Sequence, residues 1–330
     1  MTNPQHLPGQ PEQAITAWRV VRPDFTSYGD YRWPFPGHTA RPRETERKMT
    51  LGVGRIISGD AHSALSTLDD QSVQTVVTSP PYWGLRDYGV AGQIGAEPTV
   101  DEFVEKLVKV FADVRRVLRD DGTLWLNIGD SYTSGGRTWR QSDKKLPARG
   151  MDYRPKTPDG LKPKDLIGVP WRLAFALQQD GWYLRTDIVW QKPNGNPESV
   201  KDRPTRVHEF LFLLTKAERY YYDYESVKEP TDNGRGTKAR RSVWSINTEP
   251  FPEAHFACFP TKLVEPCVLA GSRPGDVVLD PFFGSGTVRE VARKLGRNFV
   301  GIELHEEYVD IARKRIKART DYEVDVTWLR

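Results

Sequence analysis

Apolar residues follow two alternating patterns from residue 51 onward. Short runs rich in β-branched and aromatic residues predict strands, whereas apolar residues at every third or fourth position predict helices. The stretch 100–118, for example, places Phe103, Leu107 and Val114 on one helical face. The predicted strands are 54–58, 75–79, 123–128, 186–191, 209–215, 277–280 and 298–303, and the predicted helices are 100–118, 171–178, 288–295 and 306–318.

Strands that alternate with helices predict an α/β domain, here residues 49–330, with a mostly parallel, twisted sheet and helices on both faces. Ligands of such sheets bind beyond the carboxyl ends of the strands. Two basic segments, 131–165 and 230–254, interrupt the alternation and are expected to be irregular insertions. Long insertions in a compact domain are commonly functional, which makes these two candidates for substrate recognition.

Residues 1–48 differ from the rest of the chain, because they are rich in Pro, Gly and aromatic residues and show no helical or strand period. This composition favours a poorly ordered N-terminal extension. The alternative is a small arm that packs on the domain or contacts nucleic acid through its aromatic side chains.

Composition narrows the class of protein further. The 330 residues contain no apolar run long enough to span a membrane, and the N-terminus lacks the apolar core of a secretory signal. The two cysteines, Cys258 and Cys267, lie outside any pattern of metal ligands. We therefore expect a cytoplasmic protein without a metal or a disulfide framework. The net charge of +4 is only mildly basic.

The segment 277–287 (VVLDPFFGSGT) joins a predicted strand to a predicted helix through a glycine turn. Glycines let a ligand approach the backbone closely, and a helix N-terminus offers free N–H groups. The next strand ends in Glu303, whose carboxylate is suited to ribose hydroxyls. This order indicates a nucleoside cofactor. Glu290 occupies the place of the third glycine of a dinucleotide motif, which argues against NAD.

The segment 78–84 (TSPPYWG) follows another predicted strand. Its two prolines cannot continue a parallel strand, and they hold the backbone extended and rigid. A Ser-Pro-Pro triplet can be a simple turn. The aromatic pair Tyr82 and Trp83 at the carboxyl end of a strand favours a functional loop instead.

Residues 79–82 (SPPY) resemble the (D/N/S)-P-P-(Y/F/W) motif of DNA methyltransferases that modify the exocyclic amines cytosine N4 or adenine N6, and the serine form is chiefly associated with cytosine N4. Residues 280–287 are similar to the cofactor motif of the same family, D-P-F-x-G-S-G-T, and 255–263 to the segment just upstream of it. Blocks 187–194 and 199–209 also resemble the family. The catalytic motif precedes the cofactor motif, as in the permuted β group. The resemblance covers roughly residues 51–318.

The resemblance implies a permuted Rossmann-like fold, S-adenosyl-L-methionine as methyl donor with S-adenosyl-L-homocysteine as product, and double-stranded DNA as substrate. A cognate restriction endonuclease is a possible partner, and the oligomeric state is left open. The implied catalytic residues are Ser79, Pro80, Pro81 and Tyr82. Trp83 either lines the base pocket or packs in the core. The implied cofactor-binding residues are Asp60, Phe256, Pro260, Asp280, Pro281, Phe282, Gly284, Gly286, Thr287 and Glu303.

The basic insertions are expected to bind DNA phosphates, although a solvated charged loop is the ordinary alternative. The candidate DNA-binding residues are Arg137, Arg140, Lys144, Lys145, Arg240 and Arg241. Cytosine-N4 methylation is the favoured reaction. Adenine-N6 methylation, an inactive DNA-binding module, methylation of a protein or RNA amide and a nicotinamide dehydrogenase are the alternatives.

The dipeptide Pro266-Cys267 is similar to the Pro-Cys of cytosine-C5 methyltransferases, in which a thiolate attacks the base. Here it falls inside the amphipathic run 261–269. The pattern therefore predicts a buried structural cysteine.

Overall fold

The computed structural model describes residues 54–85, 90, 92–133, 156–195, 197–249, 259–317 and 324–329. The N-terminal extension 1–48 lies outside the described residues, as do Phe256 and the candidate DNA-binding residues Arg137, Arg140, Lys144 and Lys145. None of the described helices is long and apolar enough to cross a membrane.

The described part of the chain contains alternating strands and helices, as the pattern of apolar residues predicts. The strands are β1 Gly54–Ser58, β2 Val73–Thr78, β3 Leu118–Ile128, β4 Tyr183–Gln191, β5 His208–Thr215, β6 Glu229–Pro230, β7 Thr237–Lys238, β8 Val243–Ser245, β9 Val277–Asp280, β10 Asn298–Glu303 and β11 Val324–Trp328. The helices are α1 Ala61–Leu65, α2 Val100–Val117, α3 Val169–Gln179, α4 Thr261–Gly271, α5 Thr287–Lys294 and α6 Glu306–Lys317.

The main sheet of the described residues has nine strands in the order β11-β1-β10-β9-β2-β3-β5-β4-β8. β5 is antiparallel to both of its neighbours, and the other adjacent strands pair in parallel. The amino end of β5 therefore lies at the same sheet edge as the carboxyl ends of the other strands. We call this edge the carboxyl edge.

Helices cover both faces of the sheet, and each face has its own apolar core. On one face, Phe103 and Phe111 of α2 are fully buried with Leu173 of α3 against the sheet. On the other face, Val264 and Val268 of α4 are fully buried with residues of α5 and α6. Burying one such side chain stabilises the fold by about 1.5–3 kcal/mol. The predicted α/β class with a covered, mostly parallel sheet is confirmed.

The short elements depart from the sequence expectation. The strands β1, β9 and β10 match their predicted bounds, whereas α1, β8 and β11 were not predicted. The described part of the 230–254 insertion is not irregular: β6 and β7 pair as a two-stranded ribbon, and β8 extends the main sheet beside β4. Such short edge strands bury few side chains, so they leave only a faint apolar pattern.

One long-range cap places a helix at the carboxyl edge. Asp130 follows β3, and its carboxylate accepts hydrogen bonds from the backbone N–H groups of Gly168 (3.0 Å) and Val169 (3.0 Å) at the start of α3. Burial raises the pKa of Asp130 above its ordinary value. Gly168 has no side chain that could cap the helix, so Asp130 supplies the acceptor that its N-terminus needs.

Candidate active site

The residues singled out in the sequence converge on the carboxyl edge. The SPPY loop follows β2, the glycine turn follows β9, and Glu303 ends β10. Asp60 follows β1, the strand next to β10. These four strands are neighbours in the sheet, so their carboxyl ends form one continuous rim.

The strand β2 stops at Thr78, just before the two prolines. Proline lacks the N–H that a sheet ladder requires, which explains the end of the strand. Pro80 is buried, whereas Ser79, Pro81 and Tyr82 are half-buried. The Ser79 hydroxyl lies 3.5 Å from the hydroxyl of Tyr82. The loop thus presents a hydroxyl and an aromatic ring from a rigid backbone.

Trp83 does not belong to this exposed group. Its side chain is 4% exposed and packs in the α2 core, and its indole N–H donates to the backbone carbonyl of Glu97 over 2.9 Å. The Glu97 carboxylate in turn accepts from the Gly95 N–H over 2.8 Å. Of the two roles that the sequence leaves open for Trp83, the structure favours packing, and Trp83 anchors the end of the SPPY loop.

Tyr82 enters a polar network that sequence reasoning did not identify. Its hydroxyl donates to Glu209 Oε2 over 2.7 Å, and Glu209 Oε1 pairs with the ammonium of Lys192. Asn127 Oδ1 lies 3.5 Å from the same hydroxyl. Lys192 and Glu209 do lie in the two blocks, 187–194 and 199–209, that resemble the family. That resemblance was the available signal, but it did not indicate that they contact Tyr82.

The glycine turn after β9 forms an open cradle. Gly284 and Gly286 have φ values of +51° and +84°, in the region that favours glycine, and α5 begins directly afterwards at Thr287. A Cβ added to Gly284 would meet nothing within 4 Å, so its backbone borders open space. Phe283 points inward, where its ring stacks on Phe299 at 6.0 Å.

Asp280 is a buried carboxylate without a described cationic partner in the structure. It is 2% exposed and accepts hydrogen bonds from the Thr78 hydroxyl (2.7 Å) and the Phe282 N–H (3.0 Å). Burial raises its pKa to about 7, and the nearby Glu303 acts in the same direction. A buried carboxylate in this state is suited to the ammonium group of a ligand, which would restore its charge.

Glu303 is held with both oxygens engaged by the backbone. Oε2 accepts from the Gly284 N–H over 2.7 Å, and Oε1 accepts from the His305 N–H over 2.9 Å. Burial raises its pKa above the ordinary value. Two carboxylates on the adjacent strands β9 and β10, beside an open glycine turn, fit an amino-acid nucleoside such as S-adenosylmethionine: one for its ammonium and one for its ribose.

The remaining cofactor candidates lie around this cradle. Asp60 caps α1, where its carboxylate accepts from the Ser63 N–H over 3.0 Å. Pro260 is buried and precedes α4, and Pro281 is buried beside Asp280. Thr287 is buried at the start of α5. The helix cap occupies one oxygen of Asp60, and its role at the adenine edge stays a prediction.

The described basic candidates are engaged within the protein. Arg241 donates to Glu229 (2.8 Å) and to Asp232 (3.3 Å), and the guanidinium of Arg240 lies 4.3 Å from the Trp244 ring centroid. Their contact with DNA stays a prediction.

Cys267 is a buried structural residue, as predicted. It is fully buried inside α4, and its thiol donates to the Leu263 carbonyl over 3.2 Å. Burial raises the pKa of the thiol far above its ordinary value, so a thiolate nucleophile is disfavoured.

This fold, with an acid-terminated cofactor cradle beside a rigid Pro-Pro-aromatic loop, defines the class of S-adenosylmethionine-dependent methyltransferases. The N6_N4_Mtase model, described as DNA methylase, matches residues 73–314. The chain belongs to this family of DNA amino-methyltransferases. The family, the fold class and the cofactor expected from the sequence are thereby confirmed.

The chain is similar to restriction–modification enzymes over most of its length. The Type II methyltransferase M.SmaI of Serratia marcescens is 65% identical over 266 residues, which cover 80% of this chain and 91% of that protein. The Type II methyltransferase M.Cfr9I of Citrobacter freundii is 62% identical over 269 residues, covering 82% and 89%. The chain is accordingly a DNA methyltransferase of the Type II restriction–modification kind.

Solved structures share the fold. TTHA0409, a DNA modification methylase from Thermus thermophilus complexed with S-adenosyl-L-methionine, aligns with a TM-score of 0.58 and 25% identity over 83% of this chain and 98% of that one. The PvuII DNA methyltransferase (cytosine-N4-specific) aligns with a TM-score of 0.59 and 18% identity over 83% and 95%. The second likeness concerns the fold alone.

Proposed function

We propose that this DNA methyltransferase transfers the methyl group of S-adenosylmethionine to the exocyclic N4 amine of a cytosine flipped out of a DNA duplex. The observation that carries the proposal is the position of Ser79, one residue after the Thr78–Asp280 hydrogen bond (2.7 Å). This bond ties the base-activating loop to the cofactor strand. The acceptor of the amine and the methyl donor would therefore be held beside each other.

The chemistry follows from the weakness of the nucleophile. The lone pair of an exocyclic amine is delocalised into the ring, and acceptors for its N–H bonds favour a pyramidal nitrogen with a localised pair. The Ser79 hydroxyl and the Pro80 carbonyl are suited to this, because the prolines fix their direction. When bound, S-adenosylmethionine supplies the sulfonium methyl that the amine attacks directly. Ser79 acts as an acceptor, and its nearest described side-chain partner is Tyr82, which is not a base that could make it a nucleophile.

Ser79 also supports cytosine as the target. A neutral hydroxyl stands at the first position of the motif, and this serine form of the family motif is chiefly associated with cytosine N4. A base inside a duplex cannot reach the loop, so it has to be flipped, which costs a few kcal/mol. Stacking on Tyr82 offsets part of that cost. Arg137, Arg140, Lys144 and Lys145 are proposed to hold the DNA phosphates, and a cognate restriction endonuclease is proposed as a functional partner.

The test is to methylate plasmid DNA, digest it to nucleosides and identify the modified base by mass spectrometry. We expect N4-methylcytosine. N6-methyladenine would overturn the choice of base, and no modified base would overturn the enzyme proposal. Single-base mapping of the same DNA would report the recognition sequence.

A Ser79→Ala variant tests the role of the hydroxyl. Its turnover should fall by about 10²–10³-fold, as for other removed transition-state donors or acceptors, with unchanged cofactor affinity. Ser72→Ala is the matched control, because the exposed Ser72 hydroxyl bonds only to the nearby Asp69 carbonyl among the described hydrogen bonds. Equal turnover of the two variants would contradict the proposed role.

A further inference from the structure

Tyr82 is held at its hydroxyl end by a buried ion pair. Its hydroxyl donates to Glu209 Oε2 over 2.7 Å, and Glu209 also pairs with Lys192. The side chains of Lys192 and Glu209 are only 19% and 16% exposed. The three residues come from the SPPY loop, the start of β5 and the residue after β4, so the sheet order alone brings them together.

The ion pair is itself fixed from several sides. The Lys192 ammonium lies 4.5 Å from the Trp190 ring centroid. Asn127 Oδ1 faces the Tyr82 hydroxyl at 3.5 Å, while Asn127 Nδ2 donates to the Phe210 carbonyl over 3.1 Å. Removing two charges from water costs about as much free energy as their attraction returns. Stability therefore gives little reason for this pair, and a positional role gives a better one.

The backbone restricts the ring of Tyr82 from the side. A Cβ added to Gly129 would lie 2.6 Å from Tyr82 Cε2 and 3.3 Å from Glu209 Cδ. Gly129 therefore abuts the edge of the ring, and only a residue without a side chain fits there. With the hydroxyl tethered at one end and the backbone attached at the other, the ring can turn only about its long axis. Gly129 limits that turn.

We propose that Glu209 is a positioning residue that sets the ring plane of Tyr82 for the flipped base, and that Lys192 holds Glu209 for this task. The inference rests on the proposed stacking role of Tyr82 and is independent of whether the base is cytosine or adenine. An ionised acceptor forms a stronger hydrogen bond than a neutral one, so it suits a fixed anchor. The hydroxyl of Tyr82 is then used inward, and the base meets the face of the ring.

A double-mutant cycle tests this role. Tyr82→Phe removes the hydroxyl, and Glu209→Asp keeps the charge but shortens the side chain, so that it no longer reaches the hydroxyl. Each single variant should lower kcat/KM for DNA by about tenfold, the scale of one base–aromatic stack. The double variant should be no worse than either single variant, because both break one contact. Additive losses, or single variants without any loss, would overturn the proposal.

A neutral exchange separates geometry from charge. The pair Lys192→Met with Glu209→Gln keeps an amide oxygen for the Tyr82 hydroxyl and leaves no unpaired ammonium. It should recover kcat/KM well above the Glu209→Asp variant if orientation is the role. If Glu209 instead removes a proton during the reaction, this pair would be as impaired as Glu209→Asp or worse, and the pH profile of kcat would lose a limb.

A fluorescent base analogue at the mapped target position gives a direct readout. Pyrrolocytosine serves for a cytosine target, and 2-aminopurine for an adenine target. Flipping should raise the fluorescence of either analogue, and stacking on an ordered Tyr82 ring should quench part of that rise. Glu209→Asp should therefore give a brighter flipped state at unchanged S-adenosylmethionine affinity, which also shows that the variant is folded. An unchanged spectrum would overturn the positioning role, whereas loss of flipping in the unaltered protein would instead overturn the proposed function.

Discussion

The Thr78 hydroxyl donates a 2.7 Å hydrogen bond to the Asp280 carboxylate, although the two residues are 202 positions apart in the chain. Thr78 ends β2, which leads into the SPPY loop, and Asp280 ends β9, which leads into the glycine turn. The two strands are neighbours in the sheet. One buried contact thus joins the loop that is proposed to activate the base to the cradle that is proposed to hold the cofactor.

Removing that contact should weaken cofactor binding. Thr78→Val keeps the shape of the side chain but withdraws the donor, which would raise the pKa of Asp280 further because the Thr78 bond lowers it. S-adenosylmethionine affinity at neutral pH should fall about tenfold, the scale of a lost hydrogen bond to a charged group. Thr78→Ser keeps the hydroxyl and should retain most of the affinity. Calorimetry would measure both, and equal affinities would contradict the role.

Cofactor affinity should depend on pH through Asp280. Its pKa of about 7 means that the carboxyl takes up a proton as the pH falls below neutral. A protonated carboxyl cannot pair with an ammonium group, so the affinity should fall toward acid by up to about tenfold per pH unit. Asp280→Asn should bind weakly at every pH and show a flatter profile. An affinity of the unaltered protein that is constant from about pH 8 to about pH 5.5 would exclude this linkage.

The same shift has the opposite sign for the stability of the ligand-free fold. The folded protein binds the Asp280 proton more tightly than the unfolded chain does, because burial raises the pKa from 3.8 to about 7. The contribution of Asp280 to the free energy of unfolding should therefore fall as the pH rises through this interval. Chemical denaturation of Asp280→Asn and of the unaltered protein, each at acid and neutral pH, would isolate it: the unaltered protein should lose more stability over the interval.

Gly129→Ala should impair turnover without affecting the cofactor. The new Cβ would lie 2.6 Å from the Tyr82 ring, so the ring has to move. We expect kcat/KM for DNA to fall about tenfold, with unchanged S-adenosylmethionine affinity. In a Tyr82→Ala background the same change should cost much less, because the obstructed ring is gone. A similar loss in both backgrounds would show that Gly129 acts by another route.

Trp83→Phe should reduce stability more than catalysis. The change removes the N–H that bonds to the Glu97 carbonyl and leaves that carbonyl buried without this donor. The free energy of unfolding should fall by about 1–3 kcal/mol. Trp328→Phe is the matched control, because Trp328 is 45% exposed and should cost little. Urea denaturation would compare them. A stable Trp83→Phe protein with impaired base stacking would instead support the base-pocket interpretation.

Much of the fold was predictable because the central strands carry a strong local signal. β9 and β10 are short, largely apolar runs bounded by glycine or polar residues, and their predicted bounds agree with the structure. The edge strands β8 and β11 were missed, since an edge strand buries fewer side chains and its apolar pattern is weak. The order of the strands was also beyond the pattern, because period and composition carry no information about which strands pair.

The sequence by itself determined the family of the protein, its cofactor and the two motifs, because these depend on residue types at short, fixed spacings: Ser79 beside two prolines, and Asp280 before a glycine turn. Only the tertiary structure decided that Thr78 bonds to Asp280, that Trp83 packs inward and that Tyr82 is anchored by Glu209 and Lys192. Each of these contacts depends on strand order and on the antiparallel direction of β5 or on core packing. Those properties arise from burial of the whole sheet between its helices, which no local stretch of sequence records.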